Sequence, residues 1–79
     1  MKLPRNIDAQ QFIIALQKYG YQPTRQTGSH IRLTTQQNGQ HHLTIPNHDP
    51  LRIGTLNAIL TEVAQHIGVS KEELAERLF

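Results

Sequence analysis

Hydrophobic and polar positions along this chain change their spacing twice. They start at a helical period, turn to strict alternation, and return to a helical period. Phe12, Ile13, Leu16 and Tyr19 fall on one helical stripe. Asp8 stands before them as an N-cap, with Gln11 placed to complete a capping box, and Gly20 is a natural stop. The spacing predicts a first helix over about 9–19. Residues 21–27 read as a strand, but Pro23 cannot donate to a ladder, which makes this an edge or irregular strand. Ile31-Arg32-Leu33-Thr34 alternates, predicting a second strand over about 30–36, and a third follows over about 41–46.

The register of this hairpin follows from burial. A two-residue Asn38-Gly39 loop would set Leu43 opposite Thr34 and Ile45 opposite Arg32, so the apolar faces would disagree. A three-residue loop over 37–39, with Gly39 left-handed in a bulge, sets Ile31 opposite Ile45 and Leu33 opposite Leu43. The other face then carries His30, Arg32, Thr34, His42 and Thr44. After a loop over 47–50, Leu56, Ile59, Leu60, Val63 and Ile67 predict a second long helix from about Ile53, ended by Gly68. Ser70, with Glu73 three residues on, opens a short last helix bearing Leu74, Leu78 and Phe79. Both long helices need an apolar partner and the sheet offers one apolar face. They are expected to share it, leaving the His30–Arg32 face open.

Composition narrows the class. Seventy-nine residues suit one domain, 1–79, and a chain of this size buries only ~60–65% of the surface its unfolded form exposes. There is no cysteine, hence no disulfide and no thiolate metal site. No apolar run approaches the ~20 residues that span a bilayer, and Met1-Lys2-Leu3-Pro4-Arg5 lacks the hydrophobic stretch of an export signal. The expectation is a cytoplasmic protein that does not engage a membrane. Residues 1–60 carry six basic side chains against two acidic ones, whereas residues 61–79 carry two against four. A basic body with an acidic end points to an anionic partner for the body.

Within that body, Gly28-Ser29-His30 is a tight turn ending on a histidine where a strand begins. Imidazole titrates near neutral pH, and a histidine beside cationic groups suits chemistry on a phosphodiester. RNA carries its own nucleophile, the 2′-hydroxyl. A neutral imidazole can take its proton, and Arg25, Arg32 or Lys2 can stabilise the charge that develops. His42 shares the face of His30 but lies four strand positions away, ~13 Å, too far to serve the same phosphate. His48, just beyond the residue opposite His30, is a candidate second acid or base. His41 and His42 are adjacent on a strand and point to opposite faces, so they do not share one ion. No metal or other cofactor is expected. Arg52 and Thr55, at the start of the second long helix, are candidates for phosphate contact through the exposed amides there.

The order of elements and these residues resemble the HicA family of toxins. The likeness runs through Lys2-Leu3-Pro4-Arg5, Gly20-Tyr21, Arg25-Gln26-Thr27-Gly28-Ser29-His30, Asn38-Gly39, Ile45-Pro46, His48 and Gly54-Thr55-Leu56, followed by Ile59-Leu60. It implies an α+β fold like that of double-stranded-RNA-binding domains, α-β-β-β-α with a short C-terminal helix added. It further implies a metal-independent endoribonuclease acting on mRNA, with His30 catalytic, and a HicB-like antitoxin as partner. The candidate RNA contacts are then Lys2, Arg5, Arg25, Ser29, Arg32, Arg52 and Thr55. Two features depart from the family pattern: the second long helix is about one turn longer, through 61–67, and Pro23 interrupts the first strand. Another reading of the same basic face is a non-catalytic RNA-binding module that senses duplex shape. A third is a protein whose only task is to dock a partner.

Overall fold

The computed structural model describes residues 3–79, so the candidate contact Lys2 lies outside the described residues. The capping box at the start forms in both directions: Asp8 Oδ1 accepts from Gln11 N at 2.8 Å, and Gln11 Oε1 accepts from Asp8 N at 3.0 Å. Helix α1 spans Ala9–Leu16 and tightens into a 3-10 turn, Gln17–Tyr19, which ends at Gly20 with φ 80°. The expected 9–19 helix is therefore right in extent, with its last turn wound more tightly.

Strands β1 (Gln22–Thr27), β2 (His30–Thr35) and β3 (His41–Pro46) form one antiparallel sheet in the order β1-β2-β3. The β2–β3 register sets Ile31 opposite Ile45, Leu33 opposite Leu43, His30 opposite Pro46 and Thr34 opposite His42. That is the pairing the apolar pattern demanded. The connecting loop differs from expectation. Pairing stops at Thr35 and His41, leaving 36–40 outside the ladder, and both Asn38 (φ 59°) and Gly39 (φ 95°) are left-handed. The cause is tertiary. Thr35, only 1% exposed, donates its hydroxyl to Tyr19 O at 2.7 Å and accepts from Gln37 N at 3.1 Å, which turns the chain inward. Helix α2 (Ile53–Ile67) then holds the tip. His66 Nε2 donates to Gln37 O at 2.9 Å and Gly39 O at 3.0 Å, and Asn38 Nδ2 donates to His66 O at 2.8 Å.

The start of β3 is gripped from the same side. His41 stacks on His66 with ring centres 4.4 Å apart, and its Nε2 lies 3.0 Å from the Glu62 carboxylate. Its Nδ1 is 2.7 Å from the Tyr21 hydroxyl. Burial, with the Glu62 charge adding to it, pushes the Tyr21 hydroxyl up to about 12. The last turns of α2 thus supply the two side chains, Glu62 and His66, that fix the hairpin.

Helix α3 (Lys71–Leu78) is capped by Ser70 Oγ, which accepts from Glu73 N at 3.1 Å. The reciprocal half of the expected capping box is absent, because the Glu73 carboxylate turns toward Arg77 Nη2 at 3.6 Å. Phe12, Ile13 and Leu16 of α1, Leu56, Leu60 and Val63 of α2, and Leu74 and Leu78 of α3 form one continuous core with Ile31, Leu33, Leu43 and Ile45 of the sheet. Tyr21 and Phe12 are fully buried there. At 17 Å the shortest dimension is that of one sheet plus one layer of helices. All helices lie on one face, and the other face is open. Every residue of β1 is exposed, so the helical layer covers β2 and β3 only. No helix among the described residues is long and apolar enough to cross a membrane.

Candidate active site

His30 is placed by a hairpin turn and two ladders. Gly28 and Ser29 form a two-residue loop between Thr27 and His30, which pair across it. Gly28 has φ 57°, and a glycine at the first loop position is what a hairpin with one left-handed residue requires. On the other side Asn47 N donates to Ser29 O at 2.6 Å, and His30 faces Pro46. The backbone of His30 is held from both neighbouring strands while its side chain stands exposed on the open face. No hydrogen-bond partner holds its ring among the described residues.

A β-bulge brings the arginines together. From Gln22 to Pro23 the β1 register pairs with Thr34 and Leu33; after the bulge, Arg25 pairs with Arg32, Gln26 with Ile31 and Thr27 with His30. Without the inserted residue Arg25 would oppose Ile31 and point to the helical side. With it, Arg25 and Thr27 join Arg32 and His30 on the open face. Thr24 is on this face as well, since its hydroxyl lies 3.1 Å from that of Thr34. Pro23, which lacks an N–H, sits where the ladder breaks.

Two adjacent concavities result. Arg25, Thr27, His30, Arg32 and Thr44 line the first, about 240 Å³ in volume. Thr24, Arg25, Arg32, Thr34, Gln40 and His42 line the second. The paired arginines form the saddle between them. No carboxylate lines either one, and neither arginine is in an ion pair among the described residues. Two like charges face to face on a sheet destabilise the pairing. An anion between them relieves that repulsion and is offered two forked donors.

The other candidates lie elsewhere. Arg5 lines a separate hollow with Pro4, Asn6, Ile7, Gln11 and Phe79. Arg52 is the N-cap residue of α2, makes no capping hydrogen bond through its side chain, and lines neither concavity; nor does Thr55 in the first turn. Ser29 contributes the backbone carbonyl already described. His48 is exposed, and its main chain is tied at both ends: its N donates to Pro46 O at 2.9 Å and its O accepts from Ala9 N at 3.1 Å. Its side chain lines neither concavity. Among the described residues no three His, Asp or Glu side chains converge in a way that could hold a metal ion.

Thr24 and Thr27 escaped the sequence reading, because their faces depend on the bulge. Thr44 was legible from alternation alone. The surface has the parts that phosphodiester chemistry requires: a proton-transfer group on a rigid strand and an unpaired cationic clamp beside it. Residues 9–65 match the family model described as HicA toxin of bacterial toxin-antitoxin. No curated protein and no solved structure gave a significant match. The matched segment runs from the first residue of α1 into the last turns of α2 and includes the whole sheet, with His30 and both arginines. The chain therefore belongs to the HicA family of toxins of bacterial toxin–antitoxin systems.

Proposed function

We propose that this toxin is an endoribonuclease that cleaves mRNA, with His30 as general base and the Arg25–Arg32 pair as the phosphate clamp. The observation that carries the reading is the bulge in β1, which sets both guanidinium groups beside an exposed imidazole on a face with no carboxylate. The neutral ring of His30 takes the proton of a ribose 2′-hydroxyl. The freed oxygen attacks the adjacent phosphorus, and the bond to the 5′-oxygen of the next nucleotide breaks. A 2′,3′-cyclic phosphate and a 5′-hydroxyl end result, the leaving oxygen taking its proton from water. The arginines stabilise the charge that grows on the phosphoryl oxygens. DNA lacks the 2′-hydroxyl and is not cut. The mechanism uses side chains alone, so it runs without a metal ion. Its setting is the cytoplasm, and the partner is a HicB-like antitoxin.

The test is cleavage of a defined RNA by the wild type and by His30→Ala, each with EDTA present. The wild type is expected to cut RNA but not DNA of the same sequence, and to leave cyclic phosphate ends. His30→Ala is expected to lose cleavage and toxicity with its melting temperature nearly unchanged, because an exposed substitution of this kind shifts stability by ~0.5 kcal/mol or less. Full activity in His30→Ala would place the base elsewhere. Loss of wild-type activity on chelation, restored by a divalent ion, would show the metal-free route to be wrong. A wild type that binds RNA and never cuts it would leave a binding module.

A further inference from the structure

The second concavity has its own chemistry. His42 is exposed on the open face, on the far side of the arginine pair from His30. Its ring is held: Nδ1 lies 2.8 Å from the Thr34 hydroxyl, which lies 3.1 Å from the Thr24 hydroxyl. Thr24 in turn reaches Arg32 O at 3.4 Å. A row of hydrogen bonds therefore crosses all three strands and ends on the imidazole. With Nδ1 engaged by Thr34, Nε2 is left to a ligand. An exposed histidine with no task needs no such support. Gln40, at the hairpin tip that α2 holds in place, lines the same hollow.

We propose that His42, oriented by Thr34 and Thr24 and flanked by the Arg25–Arg32 pair, forms a second phosphate subsite that takes the RNA backbone beyond the scissile bond. This rests on the reading of the open face as an RNA-cleaving surface. His42 lies on β3 opposite Thr34, which is four positions from His30 along β2, ~13 Å. That separation is several times the ~3.4 Å axial spacing of phosphates along one strand of a duplex, so the two histidines meet different phosphates. One strand laid along the face therefore meets the base at one end, the shared arginines in the middle and His42 at the other end. With Thr24 donating to the Thr34 hydroxyl and that hydroxyl donating to Nδ1, the ring proton is on Nε2, and Nε2–H donates to a phosphoryl oxygen there, with no covalent step. The separation that rules His42 out as acid for the same phosphate is what suits it to hold another. The consequence is a dependence on substrate length: short RNAs reach the arginines but not His42.

Two measurements separate this subsite from the cleavage reading. The first is binding of uncleavable 2′-O-methyl RNAs, from dinucleotide to octanucleotide, by fluorescence anisotropy. The wild type is expected to gain affinity in a step once the strand is long enough to span both hollows. His42→Ala is expected to lose that step, about tenfold in Kd for the octanucleotide, and to bind the dinucleotide as the wild type does. Thr34→Val, which leaves the ring present but unanchored, falls between. Circular dichroism is expected to show the fold of each variant unchanged. The second measurement is cleavage of the all-ribose octanucleotide, where His42→Ala raises KM and spares kcat. If the wild type shows the binding step but never cleaves, the nuclease reading fails and the phosphate subsite stands. If the wild type cleaves and His42→Ala matches it in binding at every length, the subsite is overturned. A loss of affinity in His42→Ala that is equal for dinucleotide and octanucleotide also overturns it.

Discussion

Arg25 and Arg32 face one another across two strands with no carboxylate beside them. In a protein of this size such an arrangement weakens the sheet unless something anionic occupies it. On the proposed reading, two separate guanidinium contacts to a phosphate backbone are expected to make RNA affinity fall with salt. Each contact removed is expected to flatten the dependence of log affinity on log salt by about 0.7 for a single strand. Arg25→Ala and Arg32→Ala should each weaken binding roughly tenfold, since a charge-assisted hydrogen bond contributes ~1.5–3 kcal/mol. Arg52→Ala, at the start of α2 and outside both concavities, should weaken it less. Titrations at several salt concentrations measure all three. Equal small losses would show a diffuse basic surface with no clamp. His30 differs from these residues in kind: its backbone is fixed by a turn and two ladders, and no hydrogen-bond partner holds its ring among the described residues.

At the scale of elements, the β2–β3 hairpin is the part that must be held still, because it carries His30, Arg32 and His42. It is held at its tip by α2 through His66, at the start of β3 by Glu62 and Tyr21 through His41, and at the end of β2 by Thr35. Gly20 sits under that last contact. Its φ of 80° already disfavours a side chain, and a Cβ there would stand 2.9 Å from Thr35 Oγ1 and 2.8 Å from Gln37 Nε2. Gly20→Ala should therefore destabilise the fold by roughly 2–3 kcal/mol, combining the left-handed penalty with loss of the buried Thr35 bond. Gly68→Ala has a similar φ of 87° and open space around it, so only the penalty of ~1–2 kcal/mol applies. Urea unfolding of the two variants provides the comparison. Equal losses would mean that Thr35 and Gln37 give way freely and that the grip on the hairpin is weaker than its geometry suggests. The bulge in β1 is the other decisive local device, since one extra residue moves Arg25 from the helical side to the open side.

For the molecule as a whole, the division into a helical face and an open face determines how it can be blocked. A toxin of a toxin–antitoxin pair has an antitoxin partner, and the open sheet face is the one that carries His30, the Arg25–Arg32 pair and the second hollow. The antitoxin is expected to seat there. Hydrogen exchange on the complex should show protection across residues 24–34 and 42–44, with the outer surfaces of α1 and α2 unchanged. Protection confined to the helices would mean inhibition from a distance. The charge division fits this arrangement, with the basic excess in the segment that includes the sheet and the acidic excess in the last quarter of the chain.

The order of elements, the β2–β3 register and the open polar face were legible in the sequence, because burial allows only one alignment of two alternating strands. So was the place of His30 at the start of β2, through the glycine turn that precedes it, and the helix boundaries at Asp8, Gly20, Gly68 and Ser70 followed from cap chemistry. What the chain pattern could not disclose depended on contacts between distant segments. The hairpin loop opened to 36–40 because Tyr19 and His66, remote in sequence, offer its polar groups better partners than the ladder does. Glu73 left its capping box for Arg77. Above all, Arg25 came to the open face through a bulge beside Pro23. A strand's alternation assigns faces only while its register is unbroken, and where one residue is inserted, only the folded sheet decides which side each later residue joins.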